Sequence, residues 1–202
     1  MTAAPLSSPS ASFFKQRLHL KRVQPSMLVR VSGHTSGEPY FGRSGANRFD
    51  DPDSGSPTAF GTCYFGEGLL VAVAETLLHD VRPKNGRYYI VADRIESRFV
   101  LSFAGAPLML ADFTGAALKR LGLHAGFSGT ASYKKTQRWS KAIHDHPAHV
   151  DGFVYMARHL NTGRAFVLFD RAKPKIHLDG ALALPLHPEV RRVAIELGIK
   201  SA

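Results

Sequence analysis

A 25-residue stretch, 33–57, carries five glycines and three prolines and lies between two strand-like segments of this chain. A loop that long inside a compact domain is usually functional or disordered rather than a plain connection. What flanks it narrows the choice. Met27–Ser32 and Ala59–Phe65 have strand composition, and Glu67–His79 follows as the clearest helix. The chain must therefore fold a strand, a long loop, a second strand and a helix against one another.

The helix is read from its period. Leu70, Val73, Ala74 and Leu77 share one stripe, with Val71 and Leu78 at its edge. Glu75 falls just beyond that edge, which predicts a half-buried carboxylate. Further strands are expected over Arg87–Asp93, Ser97–Phe103 and Pro107–Leu110. Helices are expected over Thr114–Leu121, Ser132–Asp145 and Pro188–Leu197. Gly152–Tyr155 and Arg164–Phe169 read as a hairpin around the Asn161-Thr-Gly163 turn. Strands outnumber helices, and the helices fall irregularly among them. That pattern predicts an α+β domain with a mostly antiparallel sheet and flanking helices, not a doubly wound layout. No glycine-rich dinucleotide fingerprint opens a helix after a strand. The catalytic domain is expected over residues 26–202. Residues 1–25 read as a basic arm, disordered over 1–12, with a docking helix in 13–25.

Composition limits the class of protein. The 44% hydrophobic content predicts a packed chain that buries roughly 70% of its unfolded surface. No apolar run approaches the ~18 residues of a membrane span, and no secretory signal is visible. The lone cysteine, Cys63, excludes an intrachain disulfide and points to the cytoplasm. The net charge is +10, with Lys15, Arg17, Lys21 and Arg22 grouped before any acid. Such charge favours an anionic partner without choosing between a nucleotide, a nucleic acid and an acidic protein.

Several side chains suit one chemistry. Arg30, in an apolar strand, and Arg48, in the glycine loop, have the planar fork that matches phosphate. Tyr64 can stack on a nicotinamide or adenine ring and donate through its hydroxyl. Glu75 can stabilise the positive charge that builds on a ribose when an N-glycosidic bond breaks. Each has a plainer reading: an exposed strand arginine, an Arg48–Asp50 or Arg48–Asp51 surface pair, a sheet aromatic, a helix-flank glutamate. His144, His146 and His149 do not make a metal site, since the first two diverge on a helix and Pro147 breaks it. No metal and no cofactor is expected. Cys63 reads as a buried strand residue rather than a nucleophile.

The order of these residues resembles the RES domain, a toxin family. The likeness lies in the strand arginine, the Arg48-Phe49 pair, Tyr64 eleven residues before Glu75, and Ala74-Glu75-Thr-Leu-Leu-His79. It continues through Tyr133-x-x-Thr136-Gln137, then 150–159 and Ala165–Asp170, spanning about residues 27–170.

That resemblance implies an ADP-ribosyltransferase-like core with NAD+ as substrate. Arg30 and Arg48 would contact phosphate and ribose, Tyr64 the ring, and Glu75 would be the catalytic carboxylate. It further implies a toxin that cleaves the nicotinamide–ribose bond by phosphorolysis or hydrolysis, or that ADP-ribosylates a protein. The partner would be a helix-turn-helix antitoxin, through which alone nucleic acid enters, and a homo-oligomer stays open. The family serine falls at Ala157, where no side-chain hydrogen bond can form. Ser128, Ser132 and Thr136 are alternative hydroxyls, and a serine restored at 157 is expected to face a polar cleft. A basic nucleic-acid-binding protein is the alternative of another class, resting on charge alone.

Overall fold

A computed structural model describes residues 5–201. In chain order, β1 (Leu20–Val23) and β2 (Leu28–Ser32) precede the long loop, which ends in β3 (Thr62–Glu67) and helix α1 (Gly68–Leu77). Then come β4 (Tyr88–Ile90), α2 (Ala92–Glu96), β5 (Phe99–Gly105) and β6 (Leu108–Phe113). Helices α3 (Gly115–Arg120), α4 (Gly126–Gly129) and α5 (Tyr133–His144) lead to the hairpin β7 (Gly152–Met156) and β8 (Arg164–Phe169). β9 (Ile176–Ala183), α6 (Val190–Leu197) and β10 (Ile199–Ser201) close the chain.

Among the described residues, eight strands form one sheet in the order β1-β6-β7-β8-β3-β2-β5-β9. Within that sheet only β6 and β7 run parallel, and α3–α5 supply the long crossover such a pair needs. The other neighbours are antiparallel, so the fold is the expected α+β type. β4 and β10 make a separate parallel pair.

Both faces of the sheet centre are covered. Along β8, Ala165, Val167 and Phe169 enter the apolar cluster under α5, while Phe166 and Leu168 enter the cluster on the other face. This is the two-residue alternation of a strand with apolar neighbours on each side. It explains why β7 and β8 read as unbroken apolar runs.

The segment read as a separate basic arm is packed onto the domain. Residues Ala11–Lys15 form a 3-10 turn, and Phe13, 1% exposed, meets Trp139 edge-on at 5.1 Å. Leu6 and Leu18 join the same cluster, and β1 pairs with β6 in place of the docking helix. Burying such side chains stabilises by about 1.5–3 kcal/mol each, which outweighs the charge pattern that suggested a free arm. The part of the arm at residues 1–4 lies outside the described residues.

Other boundaries differ for physical reasons. The strand expected at Arg87–Asp93 is cut to three residues, since Ala92–Glu96 forms a helical turn. β9 was not anticipated; its apolar-polar alternation is interrupted by Gly180, and it forms by pairing along β5. Helix α1 is buried more widely than one stripe, with Leu69 and Ala72 also covered. Two glycines admit it. Gly68 turns the chain at φ 75°, and Gly66 lets β3 touch the helix, for a Cβ there would lie 2.5 Å from the Ala72 nitrogen.

Candidate functional site

A cleft of about 500 Å³ opens where β2, β3, α1, the end of β7 and the glycine-rich loop meet. Arg30, Arg48, Tyr64 and Glu75 all line it. Four residues chosen from sequence are thus brought together, and Ala157 is not.

Glu75 is half-buried, as its place beyond the helical stripe predicts. Its Oε1 accepts the backbone N–H of His159 at 2.8 Å, its one hydrogen bond among the described residues. That leaves the other carboxylate oxygen to face the cleft chemistry.

Arg48 is buried at 8% exposure, and the surface pair with Asp50 or Asp51 does not form. Instead Nη1 donates to the Thr130 carbonyl at 2.6 Å, and the guanidinium lies 4.8 Å from the Tyr133 ring centroid. Burial and the neighbouring Arg158 charge push its pKa below the ordinary guanidinium value. Its Nη2 is buried without a hydrogen-bond partner among the described residues. An anion in the cleft would relieve both costs.

Helix α5 holds the backbone that carries Arg48. Thr136 Oγ1 donates to the Arg48 carbonyl at 2.7 Å and Ser140 Oγ to the Phe49 carbonyl at 2.6 Å. Gln137 Nε2 donates to the carbonyls of Gly45 at 2.8 Å and Asn47 at 2.9 Å. The Thr136-Gln137 segment therefore acts on loop backbone. None of Ser128, Ser132 and Thr136 lines the cleft, so none replaces the missing serine there.

Arg30 is partly committed already. Nε donates to Glu38 at 3.1 Å and Nη1 to the Tyr64 carbonyl at 3.1 Å. These bonds fix the guanidinium plane and leave Nη2 and one Nη1 proton as donors for a ligand.

Tyr64 corrects one expectation. Its hydroxyl donates to Asp50 Oδ1 and accepts the Phe49 N–H, both at 3.0 Å. Burial, then the Asp50 carboxylate, raise its pKa well above that of a free phenol. The hydroxyl's one proton is spent, so it cannot donate to a ligand as expected, and the ring is left for stacking.

Tyr155 lines the same cleft, and its hydroxyl has no hydrogen-bond partner among the described residues. Burial and the nearby Glu75 hold it neutral. Sequence reading placed Tyr155 in a motif without a role. Its signal was a polar tip ending an otherwise apolar strand.

Ala157 is 2% exposed and belongs to the apolar cluster that holds Val71, Tyr155 and Ala165. The polar cleft expected around a serine there is absent. Ala157→Ser is expected to lower stability by about 1 kcal/mol or more, with no gain in activity, because the hydroxyl enters apolar surroundings. Unfolding midpoints of the two proteins check this; an unchanged midpoint with faster turnover would count against it.

Two cleft histidines were also missed. The rings of His79 and His159 lie 5.1 Å apart beside Glu75. Burial, assisted by His79, Arg158 and Arg48, lowers the His159 pKa against the pull of Glu75. Neither belongs to the 144–149 cluster. There His144 stacks on Phe60 at 4.3 Å, and His146 Nε2 lies 3.2 Å from the Gln16 carbonyl. Cys63 is buried, and burial pushes its thiol up to about 12, which removes it as a nucleophile near neutral pH.

The cleft thus sets the fixed Glu75 carboxylate and the guanidinium groups of Arg30, Arg48 and Arg158 around the Tyr64 and Tyr155 rings. Such a set can grip an extended anion, cover a flat ring and stabilise a cation formed between them.

The family model described as RES domain matches residues 27–189. Among solved structures, the M. tuberculosis MbcT–MbcA toxin–antitoxin complex is similar in fold, with a TM-score of 0.59 at 15% identity. That alignment covers 85% of this chain and 92% of the other. No match was found among curated proteins.

Proposed function

The chain belongs to the RES domain family, and on that premise we propose that it cleaves the nicotinamide–ribose bond of NAD+ as the toxin of a toxin–antitoxin pair. The observation that carries this reading is the convergence of Glu75, Arg30 and Arg48 around the Tyr64 and Tyr155 rings in one cleft.

In the proposed mechanism Arg48 and the free edge of Arg30 hold the pyrophosphate and ribose. The Tyr64 ring packs on nicotinamide, and the Tyr155 hydroxyl is placed to hydrogen-bond a ligand beside Glu75. The bond between the ribose anomeric carbon and the ring nitrogen breaks, and its electron pair neutralises the pyridinium. Glu75 stabilises the sugar cation through charge. Phosphate then attacks the anomeric carbon through an oxygen, or water attacks it and loses a proton to solvent. No metal or resident cofactor enters these steps.

The antitoxin partner is proposed because the similar fold was solved as a toxin–antitoxin complex. Among the described residues no helix is long and apolar enough to cross a membrane, and cytoplasmic action is proposed with the substrate. Protein ADP-ribosylation would use the same cleft with another acceptor.

Incubating the purified protein with labelled NAD+, with and without phosphate, tests the reading. ADP-ribose indicates water, its 1''-phosphate indicates phosphorolysis, and label on protein indicates transfer. Intact NAD+ under all conditions would overturn it.

Arg48→Lys should weaken NAD+ binding by about 1–3 kcal/mol, since lysine keeps the charge and loses the fork and the hold on Thr130. Calorimetric titration in a Glu75→Gln background measures this. Unchanged affinity would place the pyrophosphate elsewhere.

A further inference from the structure

We propose that Asp50 is the positioning residue of this cleft, tying the Tyr64 ring and the Arg48 loop into one rigid unit. Its kinetic consequence rests on the NAD+-cleaving reading above, while its structural consequence rests on geometry alone.

Asp50 is 1% exposed, and neutral donors hold its carboxylate. Oδ1 accepts the hydroxyls of Thr62 at 2.6 Å and Tyr64 at 3.0 Å. Oδ2 accepts the Ser44 hydroxyl at 3.0 Å, the Asn47 backbone N–H at 3.1 Å and the Asn47 side-chain amide at 3.0 Å. One oxygen therefore holds strand β3 and the other holds the loop. Arg48 follows Asn47 directly, and the Phe49 N–H closes the circuit onto the Tyr64 hydroxyl.

A carboxylate offers about four lone-pair sites and no proton. These five donors use all of them, which is why a charged acceptor suits the position. Asparagine has the same shape but turns one acceptor atom into a donor. That donor would face either Thr62 and Tyr64 or Ser44 and Asn47, so the unit must open on one side.

The test compares wild type with Asp50→Asn in NAD+ cleavage kinetics and in amide hydrogen exchange. KM should rise about tenfold with a smaller change in kcat, because Arg48 and Tyr64 hold the substrate in ground and transition states alike. Exchange should quicken over residues 42–57 and stay unchanged in β7 and β8. Uniformly faster exchange with an unchanged KM would mean a merely structural role and overturn the proposal. If wild type consumes no NAD+, the reading of function falls and exchange alone decides the role of Asp50. Quickening confined to 42–57 then supports it, and any other pattern overturns it. Should Asp50→Asn fail to fold, Tyr64→Phe, which keeps the ring and removes one arm of the tie, takes its place with the same expected signs. Unchanged KM and exchange in that variant would overturn the proposal.

Discussion

Glu75→Gln is expected to lower NAD+ turnover by about 10²–10³-fold while leaving the fold intact. Glutamine keeps the length and shape of the side chain. Its carbonyl oxygen can still accept the His159 N–H that anchors Glu75 at 2.8 Å, so the group stays in place. What is lost is the negative charge opposite the developing sugar cation. The site is half-buried, and a charge shielded from water acts more strongly on a neighbour than one in bulk solvent. Stability should change little, because among the described residues Glu75 forms no ion pair that glutamine would break. Turnover and unfolding midpoint measured on the same preparation separate the two effects. A variant that keeps most of its turnover would remove Glu75 from the mechanism.

The largest effect on stability is expected at Gly66. A Cβ there would sit 2.5 Å from the Ala72 nitrogen, 2.9 Å from its Cα and 3.0 Å from the Val71 carbonyl carbon. All three are helix backbone and cannot swing aside. Gly66→Ala must therefore push α1 off β3, at a cost of about 3 kcal/mol. The same shift displaces Glu75, and a misplacement of about 1 Å at a reacting centre can cost 10²-fold in rate. Gly68→Ala is the contrast. Its φ of 75° carries strain, but nothing lies within 4 Å of a Cβ there. It should cost about 1–2 kcal/mol and leave the helix seated. Equal losses in the two variants would show that close approach is not what Gly66 provides.

The candidate site was legible in residues whose signal is local. Glu75 stood out because helical period placed a carboxylate at the edge of an apolar stripe. Arg48 stood out because it followed glycines in a loop too long to be a connector. Tyr64 and Arg30 were visible as polar groups in strands. Ala157 was legible only as a departure from a pattern, and the sense of that departure needed its surroundings. Tyr155, His79 and His159 were given no role: His79 lies four residues after Glu75, a spacing that puts both on one helix face, whereas Tyr155 and His159 meet Glu75 only through the fold. Among the elements, α1 carried a strong helical period, and the β7–β8 hairpin carried two apolar runs around a turn signal. β1 and β9 are edge strands with mixed composition, formed because the outer strands of the sheet offered unpaired backbone groups.

By itself the sequence determined the class of fold, the long glycine-rich loop and four of the polar groups the cleft presents. Period, glycine placement and composition are properties of neighbouring residues, and they act before the chain is compact. The tertiary structure alone decided which of those groups is free to meet a ligand. Tyr64 lost its hydroxyl proton to Asp50, and Arg30 lost two of its five donors to Glu38 and a carbonyl 34 residues away. Glu75 gained its anchor from His159, 84 residues on, and Arg48 from Thr130, 82 residues on. A hydrogen bond is settled within a few tenths of an ångström, and only the packed sheet brings such distant partners to that distance.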